Sequence, residues 1–140
     1  MSCIAVVTTV GSRDDARRIG RSLVERGLVA CAQISEIESF YVWEGALQDD
    51  AEFRLVLKTV DARYADVERA LRELHPYELP AIFAVPLAPV FAPYAAWVVD
   101  GSRGAQSDAV VPARDRADAD AKIRDGAAAE TANRREGGPR

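Results

Sequence analysis

The sequence predicts a small α+β domain in the order β-α-β-β-α-β, closed by a short helix. Three observations carry that reading. Short β-branched and aromatic runs alternate with helix-periodic segments. Glycine, proline and acidic turn residues separate them. The two central runs, on either side of Glu44 and Gly45, are long enough to form one extended hairpin.

Taken in order, Ile4–Val10 is a β-branched run ended by Gly11 and Ser12, which reads as a buried strand. Ser12 followed by Asp15 resembles a capping box with Asp in place of Glu. Ala16, Ile19, Leu23 and Val24 then mark the apolar face of a helix, and Arg13, Arg17, Arg18 and Arg21 its solvent side. Gly27 suits the position after the helix, because it takes the left-handed conformation freely. Residues 28–43 read as one strand from their Val, Ile, Phe, Tyr and Trp content. Glu44 and Gly45, with Gln48, Asp49 and Asp50, supply a turn, and residues 52–60 return as the next strand. On that strand Phe53, Leu55 and Leu57 share one face; Glu52, Arg54, Val56 and Lys58 share the other.

Asp61 is a good N-cap for a second helix with an apolar stripe of Tyr64, Val67, Leu71 and Leu74. Pro76 stops that helix and pushes His75 out of helical geometry. Residues 81–85 form the fourth strand, and a last short helix after Pro93 offers Tyr94, Trp97 and Val98 for packing. Right-handed crossovers on this order give a ferredoxin-like split βαβ sandwich with both helices on one sheet face.

The length of the ribbon points to an oligomer. The sixteen residues from Leu28 to Trp43 would reach about 50 Å if fully extended. A 100-residue globule is only ~30–35 Å across. The excess leaves Phe40, Tyr41, Val42 and Trp43 on an edge that pairing with copies of the same chain would cover.

Composition bounds the function. The chain has 140 residues with a net charge of −4, enough for one domain. Residues 1–100 hold 15 acidic and 10 basic side chains, which argues against a nucleic-acid partner. From Gly101 onward the only bulky apolar residues are Val110, Val111 and Ile123, so residues 101–140 are expected to be a disordered polar tail on a 1–100 domain. Two cysteines without a CxxC spacing suggest no disulfide framework. No basic, apolar leader precedes the first strand, and no apolar run reaches membrane-spanning length; no membrane partner and a cytoplasmic location are expected.

The chemistry-bearing residues cluster between Tyr41 and Pro80. His75, the sole histidine, follows a helix end and reads equally as a capping or stacking ring and as the candidate metal residue; one imidazole cannot complete a metal shell alone, and no HxH, HxxxH or CxxC spacing adds donors. Lys58 ends an apolar strand and needs a carboxylate such as Glu44, Glu52 or Glu78, or a small anion at a subunit boundary. Tyr41, Trp43 and Tyr77 are candidates to line a pocket, although aromatics in such runs more often belong to cores and interfaces. Cys31, between Ala30 and Ala32, reads first as a small buried hydrophobe. The expected ligand-binding set is therefore Tyr41, Trp43, Glu52, Lys58, Tyr77 and Cys31. No nucleophile–base pair or phosphate loop is visible, and no enzyme is expected.

Several of these residues together resemble the CutA family of divalent-cation tolerance proteins: Thr9, Leu28-Val29-Ala30-Cys31, Ser39-Phe40-Tyr41-Val42-Trp43-Glu44-Gly45, Glu52, Leu57-Lys58-Thr59, His75-Pro76-Tyr77-Glu78-Leu79-Pro80, and Tyr94 with Trp97. The resemblance implies a cytoplasmic homotrimer, similar in architecture to PII signalling proteins. It also implies a role in tolerance to copper and other divalent cations. Weak binding of metal or small ligands at inter-subunit clefts is expected, with no obligatory cofactor and with Cu²⁺ or another divalent cation as the ligand. In some members copper is assigned to a cysteine near the end of the first strand and two adjacent histidines. Here Thr8 and Leu74 occupy two of those positions, and only His75 matches. The alternatives are a small-anion or metabolite sensor without a direct metal role, and an acylphosphatase-like hydrolase. For the latter, residues 8–13 supply Arg13 but no Asn or Gln. An RRM-type RNA binder lacks the basic-aromatic motif on its third strand, and a copper chaperone lacks paired cysteines.

Overall fold

A computed structural model of the chain describes residues 1–104. The elements follow the expected order: β1 (Cys3–Val10), α1 (Arg13–Glu25), β2 (Cys31–Trp43), β3 (Ala46–Val60), α2 (Tyr64–Leu74), β4 (Ile82–Pro86) and α3 (Ala92–Gly101). The sheet is antiparallel throughout, in the order β2-β3-β1-β4. This is the ferredoxin-like arrangement.

Local chemistry sets the ends of α1. The Ser12 hydroxyl accepts the Asp15 amide at 3.1 Å. At the other end, the Leu28 amide reaches the Leu23 carbonyl at 3.1 Å and the Gly27 amide reaches Val24 at 3.0 Å, with Gly27 at φ 67°. That pair of bonds is a Schellman motif. Ala16, Ile19 and Leu23 are buried as expected, while Val24 turns outward. The main core lies between the helices α1 and α2 and one sheet face, built on Val6, Val10, Leu55, Leu57, Val67 and Leu71.

Three boundaries differ from expectation. The first strand of the hairpin begins at Cys31, because the chain is still turning through residues 26–30 after the helix cap. Its 13 residues still reach ~43 Å. The hairpin turn is only Glu44 and Gly45, both at positive φ (50° and 78°), so Gln48, Asp49 and Asp50 are strand rather than turn. Polar residues fit there because both faces of the outer ribbon meet water; the ladder to β2 supplies the order. Asp61 opens a single 3₁₀ turn (Asp61–Arg63) instead of capping α2, and its carboxylate accepts the amides of Ala62 and Ser2, each at 3.0 Å.

The sheet's second face is free of α1 and α2. At its lower end α3 packs on it through Val98, against Cys3 and Val60. Elsewhere that face presents Val7, Val56, Phe83 and Val85, with Phe83 51% and Val85 44% exposed. Beyond the domain the ribbon leaves Phe40, Val42, Trp43 and Leu47 more than half exposed. Residues 101–104, expected to begin the polar tail, instead complete the folded domain, with Ser102 fully buried. The rest of the expected tail, 105–140, lies outside the described residues.

Candidate functional site

Pro76 shapes the site. It forces His75 into an extended conformation (φ −76°, ψ 134°) immediately after α2. The imidazole then turns into the fold and is 8% exposed. Its Nε2 lies 2.9 Å from the Thr9 carbonyl oxygen, and its Nδ1 accepts the Tyr77 amide at 3.1 Å. A carbonyl can only accept, so Nε2 carries the proton and the ring is the neutral tautomer. Burial holds its pKa below the ordinary histidine value, against the opposing pull of Thr9 and the nearby carboxylates.

The Tyr77 ring stands against His75 at 4.9 Å between centroids. Its hydroxyl passes over Gly11, where an added Cβ would lie 3.1 Å from the oxygen, and donates to Glu52 Oε2 at 3.1 Å. Burial first and the Glu52 carboxylate second push the Tyr77 phenol up to about 12. Tyr41 donates to Asp50 Oδ2 at 2.7 Å, and that bond raises its pKa, with Glu52 adding to the same effect. Glu52 is 9% exposed. Among the described residues neither Glu52 nor Asp50 pairs with a Lys or Arg.

These bonds make a testable titration. Of the four tyrosines, one is expected to ionise only at about 12 in an ultraviolet titration, and Tyr77→Phe removes that late step. Glu52→Gln moves it to lower pH. An unchanged curve in Tyr77→Phe would reject the assignment.

The structure gathers His75, Tyr77 and Glu52, with Tyr41 beside them, and leaves the other expected residues elsewhere. Lys58 lies opposite Cys31, six residues down β3 from Glu52, or about 20 Å away. It donates to the Gln33 side-chain oxygen rather than to the expected carboxylate, because Gln33 is its diagonal cross-strand neighbour. Trp43 stands at the ribbon tip, about 20 Å in the other direction. Cys31 is partly exposed, not the buried hydrophobe of the first reading, and sits with Cys3 near Tyr94; burial, then those two thiols, raises the Tyr94 pKa. Cys3 and Cys31 are separated by two strand spacings and two residues, about 12 Å between Cα atoms, too far for a disulfide.

Asp50, Gly11 and the Thr9 carbonyl were not singled out from sequence. Asp50 was within reach: a two-residue turn at Glu44 and Gly45 pairs Tyr41 with Gln48 and puts Asp50 diagonal to it. The copper shell implied by the resemblance does not fit one chain. Thr8 is fully buried in the core with a hydroxyl that has no partner, Leu74 packs on the same core, and both nitrogens of His75 are engaged. Among the described residues no three His, Cys, Asp or Glu side chains are grouped to hold a metal ion.

Comparison with known proteins places these residues in context. The chain matches the family described as CutA1 divalent ion tolerance protein over residues 4–101. The divalent-cation tolerance protein CutA of Thermotoga maritima is 38% identical over 95 residues, spanning 68% of this chain and 94% of that protein. The crystal structure of CutA1 from Oryza sativa superposes with a TM-score of 0.71 at 31% identity, covering 74% of this chain and 95% of that one. The structure of a CutA from Archaeoglobus fulgidus, described as a periplasmic divalent cation tolerance protein, gives 0.69 at 30% identity, covering 71% and 98%.

Proposed function

The chain belongs to the CutA1 divalent ion tolerance family, and from that footing we propose that it is a non-enzymatic, PII-like homotrimer that binds divalent cations weakly in crevices between its copies. One observation carries the cation reading. Glu52 is a nearly buried carboxylate whose side-chain partner is a neutral phenol, and among the described residues no Lys or Arg pairs with it. A buried carboxylate without a counter-charge is costly, and a cation relieves that cost.

Glu52 and Asp50 supply the negative oxygens, and Tyr77 and Tyr41 hold one carboxylate oxygen of each. Oxygen donors of this kind suit Mg²⁺, Ca²⁺ or Mn²⁺ better than copper. Two carboxylates make only part of a coordination shell, so water and a second copy complete it. The second copy is also what the uncovered sheet face and ribbon favour, and three copies is the number the family resemblance implies. A cytoplasmic location belongs to this reading. Among the described residues no helix is long and apolar enough to cross a membrane. Since the Archaeoglobus relative is described as periplasmic, cell fractionation is the check.

Calorimetry of the intact oligomer with Mn²⁺ and with Cu²⁺ tests the site. Mn²⁺ is expected to bind with a dissociation constant of about 10⁻⁴–10⁻³ M, the range of weak oxygen-donor sites. Glu52→Gln is expected to weaken it by about tenfold, a single charge contact worth ~1.4 kcal/mol. Absence of Mn²⁺ binding at millimolar concentration would leave the tolerance role without a direct metal site in this crevice.

A further inference from the structure

Arg63 is almost wholly buried, with 10% of its side chain exposed, and it faces away from the site. Its Nε donates to the Ser102 carbonyl at 2.7 Å, its Nη2 to the Arg103 carbonyl, and its Nη1 to Asp66 Oδ2 at 3.1 Å. Two of its three arms therefore hold main-chain oxygens just past α3. Ser102 is locked as well: its hydroxyl donates to Val98 at 2.7 Å and its amide to Val99 at 3.2 Å.

The strap that follows is fitted backbone to backbone. A Cβ on Gly27 would fall 2.4 Å from Gly104 Cα, and one on Gly104 would fall 2.8 Å from the carbonyl oxygens of Arg26 and Gly27. A Cβ on Gly101 would meet Ala30 Cβ at 2.7 Å. Only glycine permits these approaches.

The topology gives the strap a task. Val60 and Cys3 pair on the sheet face that α3 covers, whereas Leu57 and Val6 pair on the face covered by α1 and α2. Ser102–Gly104 thus leaves α3 on one face, rounds the end of the sheet, and is held by the end of α1 and the start of α2 on the other. By itself α3 has a weak grip. Val98 is its only fully buried side chain, and no side chain caps its N-terminus.

We propose that Arg63 and the Gly27–Gly104 contact form a latch, and that the Ser102–Gly104 strap keeps α3 closed over the Cys3 end of the sheet. Opening the latch releases α3 as a local unit and uncovers the Cys3 thiol, while the sheet and the α1/α2 layer stay folded. The latch contacts all lie within one chain and use none of the residues of the proposed cation site.

The test uses the full chain carrying Cys31→Ser, so that Cys3 is the only thiol. Amide hydrogen exchange of α3 and the labelling rate of Cys3 by a thiol reagent are compared in Arg63→Met and in Gly104→Ala. The first removes every donor and keeps the apolar stem; the second pushes the strap off the Arg26 and Gly27 carbonyls and crowds Arg63 Nη2 at 3.0 Å without removing any of its donors. In both, α3 amides and Cys3 are expected to react about tenfold faster or more, with the amides of Val6 and Leu57 still protected. Unchanged rates in the two variants would overturn the latch. So would simultaneous loss of protection in α3 and the sheet in both, which makes Arg63 and Gly104 ordinary supports of the whole fold.

Discussion

Val56→Asp is expected to yield folded but solitary chains. Val56 sits at the centre of the uncovered sheet face, paired with Val7 on β1 and Gln33 on β2, and Phe83 lies next to Val7 on β4. In a single chain this position is only half-buried, so an aspartate there stays hydrated. The cost to the subunit is that of a poor strand former, within about 1 kcal/mol. In an assembly closed over that face, the same carboxylate loses its hydration, a cost of several kcal/mol that Arg54 and Lys58, two residues to either side on the same face, offset only in part. Rotational symmetry repeats the cost at every copy. Sedimentation at micromolar concentration is expected to give the trimer mass for the wild type and the single-chain mass for the variant. Arg69→Ser, on the outer side of α2, is the control and leaves the mass unchanged. A Val56→Asp protein that still sediments as a trimer would remove the sheet face from the interface.

How much of this was legible beforehand depends on the range of the interactions. Ser12 capping its helix and Gly27 ending it are events within four residues, and the sequence states them directly. The alternation of Phe53, Leu55 and Leu57 with Glu52, Val56 and Lys58 likewise separates the two sheet faces without a structure. Gln48, Asp49 and Asp50 resemble a turn because charged residues usually mark the end of a strand. In an overhanging ribbon there is no buried face to demand alternation. The carboxylate expected for Lys58 fails on distance: Glu52 shares its face but lies about 20 Å along the strand, whereas Gln33 is the diagonal neighbour. The strap is hidden from sequence for the same reason in reverse. Gly-Ser-Arg-Gly is unremarkable as local composition, and its meaning comes from Arg63, far away in the chain. Thr9 contributes a backbone carbonyl, which no side-chain motif can reveal.

His75→Ala is expected to destabilise the subunit by about 2–3 kcal/mol and to reduce the loss of stability that follows acidification below the ordinary histidine pKa. The alanine leaves the Thr9 carbonyl and the Tyr77 amide without partners. Each orphaned group costs about 1–3 kcal/mol when buried, and water entering the gap moderates the sum. The pH effect follows from the sign of the shift. Burial lowers the His75 pKa below its ordinary value near 6.5, so between the two values the unfolded chain binds the extra proton and the folded chain resists it. The stability His75 contributes is therefore complete above about pH 6.5 and is lost as pH falls toward the depressed folded value. Protonating Nδ1 also destroys the acceptor for the Tyr77 amide, so acid attacks the same bond as the substitution. The groups facing the ring act in both directions: Asp15 on α1 and Glu52 on β3 favour the charged ring, and Arg18 on α1 opposes it. Since the chain has a single histidine, no other imidazole competes for the assignment. Urea unfolding at pH 7.5 and at pH 5.5 measures it: the wild-type midpoint is expected to drop on acidification, and the His75→Ala midpoint to start lower and move less. Equal drops in both proteins would transfer the acid sensitivity to the carboxylates and leave the imidazole without a pinning role.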